Sequence, residues 1–240
     1  MLSLKEKERY QRQLILKGFG EKAQEVLKKS RVAIFGLGGL GSPVSLYLAA
    51  SGVGHLYLFD YQRVELSNLN RQILYQTKDV GEEKSEVAKK ALLALNPEIE
   101  VESYSQRLEE AVEIWKEADL LIDCLDNLEG RLFLNKFAVK QRKPLISAGV
   151  EGWNGYLYTY LPQKTSCLNC IFGEKTNKEG IFPVIGVTPG ILGMLEAAEA
   201  IKYLLSMEVS SAGQILFFNL ESFSFNLIKV RKNSSCEVCR

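Results

Sequence analysis

Histidine is almost absent from this chain of 240 residues, which contains a single imidazole, His55. Nucleophilic catalysis by a Ser–His or Cys–His pair would have to be built around that one side chain. His55 follows a Gly-Val-Gly turn and opens a predicted strand, which favours a role at the surface or at a sheet edge. The sequence therefore argues against enzymes that depend on a Ser–His or Cys–His pair.

An excess of charge of one sign is also lacking. The 30 Lys and Arg residues are balanced by 29 Asp and Glu residues, for a net charge of +1, and the two signs are interspersed. Nothing in this balance favours nucleic acid or an anionic membrane as the partner. A zinc-ribbon protein that binds nucleic acid would need a basic face, which this composition does not predict.

Long apolar runs are missing too. No run reaches the roughly 18 residues that a membrane-spanning helix needs. The first residues, MLSLKEKERYQRQ, are charged and lack the apolar centre of a signal peptide. We therefore expect a cytoplasmic protein whose five cysteines are reduced, so that paired cysteines indicate a metal site rather than disulfides.

A glycine-rich turn dominates the segment 31–60. A β-branched apolar run is followed by Gly36, Gly38, Gly39 and Gly41, then by a helical stretch and a second apolar run that ends at Asp60. This is a βαβ unit with the pattern G-x-G-x-x-G and an acidic residue where a ribose would bind. The glycines permit close approach of phosphate, and the helix offers free N–H groups to an anion. The pattern predicts a nucleotide site without saying which nucleotide.

The remaining pattern predicts one α/β domain over residues 1–240. Residues 1–29 read as charged amphipathic helices, and residues 30–148 alternate between strands and helices as in a parallel Rossmann-like half. Residues 149–240 predict antiparallel strands that extend the sheet and one long helix. Asp126 and Asn127 follow a predicted strand, which places them at the sheet edge where ligands bind.

Three apolar stripes stand out in the second half. Each is interpreted chiefly as core packing, although the faces around Tyr156, Phe223 and Phe225 are also candidates for docking a protein. The stripes are Tyr156, Tyr158 and Tyr160; Phe223, Phe225 and Leu227; and Ile191, Leu195, Ala198, Ile201 and Leu205 on the helix.

Four of the five cysteines form two C-x-x-C pairs, Cys167 with Cys170 and Cys236 with Cys239. Together they supply the four sulfur ligands of a tetrahedral Zn²⁺ site, and a shell of four thiolates leaves no position for substrate. We therefore predict a structural zinc; a redox C-x-x-C or unrelated buried thiols are the alternatives. Cys124 lies in an apolar run and is expected to be buried and inert.

The sequence resembles the ThiF/MoeB/HesA family, bacterial relatives of ubiquitin-activating enzymes, over essentially its whole length. The segments that carry the resemblance occur here in the family's order: RYQRQLIL, GLGGLGS, GVGHLYLFD, VELSNLNRQILY, VGEEKSEVA, DCLDN, CLNC and CEVC. The glycine pattern alone is weak evidence. The run S-N-L-x-R-Q, together with D-x-x-D-N and the paired C-x-x-C, is specific.

The resemblance implies ATP rather than NAD as the nucleotide. Enzymes of the family activate the C-terminal Gly-Gly carboxylate of a ubiquitin-like sulfur carrier, of the MoaD or ThiS type, for molybdopterin or thiamin synthesis. The carboxylate attacks the α-phosphate of ATP and yields an acyl-adenylate and pyrophosphate. The sulfur then comes from a separate protein, a desulfurase or a rhodanese.

The resemblance also implies roles for individual residues. Arg71 and Lys84 would hold the phosphates, and Asp126 would bind or orient Mg²⁺. Arg12 would reach the phosphates from the other subunit, which implies a homodimer. The nucleotide would be bound by the four glycines together with Asp60, Ser67, Asn68, Arg71, Lys84, Asp126 and Asn127.

The sequence departs from its relatives at two places. The segment between the first C-x-x-C pair and the long helix has no cysteine, which predicts adenylation without a covalent enzyme–carrier intermediate. Gln62 stands where relatives often have a second acid. The competing interpretations are an NAD-dependent oxidoreductase, a non-catalytic scaffold, and a family member that adenylates another carboxylate.

Overall fold

The computed structural model describes residues 1–110, 112–173 and 182–240. The strands are β1 (Arg31–Phe35), β2 (His55–Phe59), β3 (Glu100–Tyr104), β4 (Leu120–Asp123), β5 (Leu145–Glu151), β6 (Asn154–Tyr160), β7 (Gln214–Asn219) and β8 (Ser224–Lys229). The helices are α1 (Leu4–Arg9), α2 (Gln11–Leu14), α3 (Gly20–Lys29), α4 (Gly41–Ala50), α5 (Lys84–Leu95), α6 (Val112–Trp115), α7 (Leu128–Gln141), α8 (Leu168–Phe172) and α9 (Val187–Leu204).

All of these strands form one sheet in the order β3-β2-β1-β4-β5-β6-β7-β8. The first five in this order are parallel, and β6, β7 and β8 continue the sheet as antiparallel neighbours. The predicted mixed α/β fold is confirmed. Because the order runs outward from β1 in both directions, the loops after β1 and β4 meet at the carboxyl edge of the sheet, where ligands of such folds bind.

The sheet separates two apolar cores. Val32 and Ile34 of β1 lie in the core that the buried faces of α4, α5 and α9 complete. Ala33 and Phe35, which alternate with them, lie in the second core with α7 and α8. There the ring of Trp115 packs edge-on against Phe35, with the centroids 4.6 Å apart. The period of two along β1 thus fills both layers.

The turn after β1 requires glycine at two positions. Gly36 has φ of +89°, which L side chains rarely adopt. A Cβ on Gly41 would lie 1.9 Å from the carbonyl oxygen of Gly36, so α4 can begin this close to β1 only with glycine there. This turn lies directly against β4, because a Cβ on Gly36 would also meet the Cys124 carbonyl oxygen at 2.7 Å.

One of the three predicted stripes is placed differently by the structure. Phe223, Phe225 and Leu227 are 79%, 48% and 53% exposed, because β8 is the outer strand of the sheet and pairs only with β7. Their interpretation as core was wrong, whereas Tyr158 and Tyr160 are buried as predicted. Leu195 and Ile201 of α9 and Leu205 directly after it are half-buried against the core as predicted, and Ala198 is exposed. The fully buried face of the helix is formed by Leu192, Glu196 and Ala200.

The N-terminal helices and the lack of a long apolar helix were also predicted from the sequence. The first amphipathic segment is divided into α1 and α2 at Tyr10, whose backbone (φ −96°, ψ +11°) departs from helical geometry. The buried Tyr10 hydroxyl accepts a hydrogen bond from Asn96 at 2.9 Å. None of the helices that the structure describes is long and apolar enough to cross a membrane.

Candidate nucleotide site and metal centre

A cleft of about 400 Å³ lies at the carboxyl edge of the parallel strands. It is built from the long loop after β2, the first residue of α5 and the loop after β4. Its lining side chains are Tyr61, Gln62, Arg63, Glu65, Asn68, Arg71, Gln72, Lys84 and Asp126. Four of the predicted nucleotide residues thus come together from three separate segments of the sequence: Asn68 and Arg71, Lys84, and Asp126.

Lys84 is the most enclosed cation of the cleft, with 2% of the residue exposed. Its Nζ donates a hydrogen bond to Oε1 of Gln62 at 2.7 Å. Burial lowers the pKa of Lys84, whereas the charges of Asp60, Asp126 and Glu65 oppose that shift. The buried ammonium therefore faces the cleft with an amide, not a carboxylate, as its hydrogen-bond partner.

Arg71 adds a second cation to the cleft. Its Nη1 donates to the Ser67 carbonyl oxygen and to Oδ1 of Asn70, each at 3.0 Å. No carboxylate of the described residues forms an ion pair with Arg71, so its charge is available to an anion. Ser67, a predicted nucleotide residue, is exposed outside the lining and donates to Oε2 of Glu65 at 3.2 Å.

Asn68 is held by the short 3₁₀ turn Leu66–Asn68. Its Oδ1 accepts a hydrogen bond from the N–H of Glu65 at 3.2 Å, and the residue is 7% exposed. Its Nδ2 donates a long hydrogen bond to Oγ of Ser67 at 3.5 Å, so the turn positions both sides of the carboxamide beside the cleft.

Asp60 connects two loops beside the cleft through hydrogen bonds and is not among the lining residues. Its Oδ2 accepts from the N–H of Leu37 at 2.8 Å and its Oδ1 from the N–H of Gln62 at 2.9 Å. Burial raises the pKa of Asp60, and Lys84 and these two N–H groups oppose the shift. Asp60 therefore ties the glycine turn to the long loop.

Two of the predicted glycines, Gly38 and Gly39, lie next to side chains that line the cleft. A Cβ on Gly38 would lie 3.6 Å from Nε2 of Gln72, and one on Gly39 would lie 3.5 Å from Cγ of Arg71. Gln72 itself is 4% exposed, and its Oε1 has no hydrogen-bond partner within the described part of the chain. Gln72 is the last residue of the run S-N-L-x-R-Q, which is one of the segments that carry the resemblance to the family.

Asp126 faces the cleft from the loop after β4. Asn127 caps α7, because its Oδ1 accepts from the N–H of Gly130 at 2.8 Å, and its Nδ2 lies 3.2 Å from Oδ1 of Asp126. The buried Arg131 donates to the Leu125 carbonyl oxygen at 2.7 Å and pairs with Asp123 at 3.3 Å. Arg131, which sequence reasoning missed, thus anchors the chain that presents Asp126.

Two predicted features lie apart from the cleft. Arg12 is exposed on α2 and does not reach the cleft of its own chain. His55 lies on the sheet surface, where its Nε2 contacts Oε1 of Glu102 at 2.7 Å, as expected for a sheet-edge residue.

The four paired cysteines converge at the other edge of the molecule. Their sulfur atoms all lie within 4.8 Å of one another, with 3.7 Å between Cys167 and Cys236 and 3.5 Å between Cys170 and Cys239. Tetrahedral bonds of about 2.3 Å from Zn²⁺ to sulfur would place the sulfur atoms about 3.8 Å apart. The thiols therefore fit a zinc ion, and the cluster could hold a metal.

The surroundings of the cluster favour the thiolate form of one cysteine, Cys236. Burial opposes ionisation of Cys236, but hydrogen bonds from the backbone of Val238 and Cys239 outweigh it and lower its pKa to about 7. Burial raises the pKa of Cys170. Cys124 is separate, buried and free, and burial raises its pKa well above its ordinary value, as expected for an inert thiol.

Comparison with known proteins identifies the family. A family model described as the ThiF family matches residues 10–238. The chain belongs to the ThiF family. A sulfur carrier protein adenylyltransferase of Thermus thermophilus is 42% identical, over 98% of this chain and 91% of that protein.

Two further known proteins, one by sequence and one by structure, are similar to this chain. The adenylyltransferase and sulfurtransferase MOCS3 of Drosophila persimilis is 40% identical over 96% of this chain, which spans 53% of that longer protein. A crystal structure of MccB from E. coli with ATP is 29% identical, with a TM-score of 0.80 over 91% of this chain and 68% of that one. The names of the Thermus and Drosophila proteins, both adenylyltransferases, agree with the predicted enzyme class.

Proposed function

We propose that the protein is an adenylyltransferase that uses ATP to activate the C-terminal Gly-Gly carboxylate of a ubiquitin-like sulfur carrier. The observation that carries this proposal is the convergence of Lys84, Arg71, Asn68 and Asp126 on one cleft beside the glycine turn. The similarity to a sulfur carrier protein adenylyltransferase over 98% of the chain supports the choice of substrate.

The chemistry needs cations more than it needs a base. A C-terminal carboxylate is already ionised at neutral pH, so it attacks the α-phosphate of ATP without losing a proton. The obstacle is the repulsion between this anion and the triphosphate, which fixed positive charges reduce. Lys84 and Arg71 supply those charges at the cleft, and the described lining residues include neither histidine nor cysteine.

Asp126 fits a role as ligand of Mg²⁺. Carboxylate oxygens suit this ion, and the side chain lines the cleft with an amide group of Asn127 as its neighbour. Bound Mg²⁺ would supply charge neutralisation at the phosphates. Asp60 would orient the glycine turn and take the ribose hydroxyls with its remaining lone pairs.

We place the carrier on the half of the chain formed by residues 149–240. The hairpin of β7 and β8 turns at the same edge of the sheet as Asp126, because β5 ends beside the start of β6 and β7 ends there too. The exposed Phe223 and Phe225 offer an apolar surface at that edge. A MoaD-type or ThiS-type carrier, for molybdopterin or thiamin synthesis, would dock there in the cytoplasm.

Arg12 would act in a homodimer. Ile15 and Leu16, which follow it, are 72% and 62% exposed and provide apolar surface for a second copy. A dimer through this surface would bring Arg12 to the partner's phosphates. The four cysteines would hold a structural Zn²⁺, and a separate desulfurase or rhodanese would supply the sulfur. Since no cysteine occurs between Cys170 and α9, adenylation would proceed without a covalent enzyme–carrier intermediate at that segment. Residues 174–181 of that segment lie outside the described residues.

ATP–pyrophosphate exchange tests the proposal. Purified protein is assayed with Mg²⁺ and either a MoaD-type or a ThiS-type carrier, each intact and without its last glycine. We expect exchange that requires the terminal glycine, with one carrier preferred, and a loss of about 100-fold in Lys84→Met. No exchange with either carrier, from a folded protein that binds ATP, would favour a scaffold or another carboxylate substrate.

A further inference from the structure

Gln62 and Lys84 are connected by two hydrogen bonds, one between side chains and one between backbone groups. The side-chain Oε1 of Gln62 accepts a hydrogen bond from the Lys84 ammonium at 2.7 Å. The backbone carbonyl oxygen of Gln62 accepts a second hydrogen bond from the backbone N–H of Lys84 at 3.0 Å. The next residues continue the contact, because Arg63 and Glu83 form an antiparallel bridge. The end of β2 and the start of α5 are thereby held at a fixed distance.

The backbone of Gln62 is held in turn by Asp60. The backbone N–H of Gln62 donates to Oδ1 of Asp60 at 2.9 Å, and the other oxygen of Asp60 holds Leu37 in the glycine turn at 2.8 Å. One carboxylate therefore sets the relative position of the turn and of Gln62. Through Gln62 the same arrangement sets the position of the Lys84 ammonium.

The chemical nature of this partner matters for the charge of the cleft. A carboxylate at position 62 would form an ion pair with Lys84 and cancel most of its charge at close range. The amide oxygen accepts a hydrogen bond from the buried ammonium without adding a negative charge. The other charged groups that act on Lys84 are Asp60, Asp126 and Glu65 on one side and Arg71 on the other.

We propose that Gln62 is a positioning residue, which holds the Lys84 ammonium toward the cleft for the triphosphate of the nucleotide without itself forming an ion pair with it. The proposal rests on the proposed function for the identity of the nucleotide. It assigns to Gln62 a role in affinity for phosphate, separate from any role in binding the adenosine part. Lys84 would contact the phosphates, and Gln62 would act through Lys84.

The test compares Gln62→Glu and Gln62→Leu with wild type. Binding of ATP and of adenosine is measured by calorimetry without carrier, and the KM for ATP and kcat are measured in pyrophosphate exchange. We expect Gln62→Glu to weaken ATP binding and raise the KM at least tenfold, with adenosine affinity unchanged within about twofold. Gln62→Leu, which removes the acceptor without adding charge, is expected to weaken ATP binding by about threefold to tenfold.

Gln163→Glu is the matched control, because it adds the same charge to an exposed glutamine at the opposite edge of the sheet, just beyond β6. Thermal melting of each variant confirms folding. Equal ATP affinity in Gln62→Glu and wild type would overturn the inference, as would parallel losses of ATP and adenosine affinity. Wild-type protein that binds ATP but lacks exchange would overturn the proposed function and leave the affinity test valid; failure to bind ATP would overturn both.

Discussion

Sγ of Cys124 lies 3.8 Å from Oε2 of Glu196, in the layer between β4 and α9. Glu196 is fully buried, and its Oε1 has no hydrogen-bond partner among the described residues. Burial raises the pKa of Glu196 well above 4.5, and the negative charge of Asp123 raises it further, whereas Arg131 opposes the shift. Burial therefore favours the neutral form of this carboxyl group.

This neutral carboxyl group makes stability depend on pH. Below about pH 4.5 Glu196 is protonated in both the folded and the unfolded chain and contributes no difference. Above that pH the unfolded chain releases the proton while the folded chain keeps it, so Glu196 lowers the free energy of unfolding as pH rises toward its folded pKa. Glu196→Gln removes this dependence.

We expect the advantage of Glu196→Gln over wild type to grow with pH above pH 5, by up to about 1.4 kcal/mol per pH unit, and to level off once pH passes the pKa of Glu196 in the folded chain. Urea unfolding at pH 5, 6, 7 and 8 measures it. Glu129→Gln, on the exposed face of α7, serves as the control and should follow wild type at each pH. A constant difference between Glu196→Gln and wild type across this range would show that Glu196 is charged in the folded state.

Metal removal should destabilise the protein through the four cysteines. We expect one Zn²⁺ per chain by elemental analysis, and a melting temperature about 10 °C lower after chelation or in Cys236→Ser. Cys124→Ala is the control, because Cys124 is buried but lies outside the cluster, so this variant should keep its zinc. Full stability without metal would show that the cluster is not a structural site.

Arg12 can be tested by complementation between subunits. Arg12→Ala and Lys84→Met should each be inactive in pyrophosphate exchange. Mixed dimers of the two variants contain one site with both residues intact, so an equal mixture should recover about a quarter of wild-type activity. Recovery requires exchange of subunits, which gel filtration of tagged chains can follow. An active Arg12→Ala protein, or a folded mixture without recovery, would exclude the proposed role in the partner's site.

The apolar hairpin of β7 and β8 is testable without disturbing the core. Phe223 is 79% exposed and has φ of +53°, a conformation that asparagine adopts more readily than phenylalanine. Phe223→Asn should therefore keep the melting temperature within about 2 °C and weaken carrier binding about tenfold. Met207→Ser, at an equally apolar but distant exposed position, should leave carrier affinity unchanged. If Phe223→Asn also bound carrier like wild type, the docking surface would have to lie elsewhere.

The βαβ unit was predictable from sequence because its signals are local. Glycine at positions 36 and 41 is required by backbone geometry, and the alternation of Val32, Ala33, Ile34 and Phe35 follows from a strand buried on both faces. The cysteine pairs were likewise readable, since only their spacing and count were needed. The exposure of Phe225 was not, because alternation in a strand does not reveal which strand lies at the edge of a sheet.

The sequence by itself determined the family, the fold class and the residue types of the candidate cleft, since these depend on local patterns and on the order of short motifs. Only the tertiary structure decided how charge is arranged there. Whether Lys84 pairs with an amide or a carboxylate, and whether Glu196 is solvated or enclosed, depends on contacts between elements that are distant along the chain. Burial and partners of this kind set the charge of each group, and they arise only when the sheet brings β2, β4, α5 and α9 together.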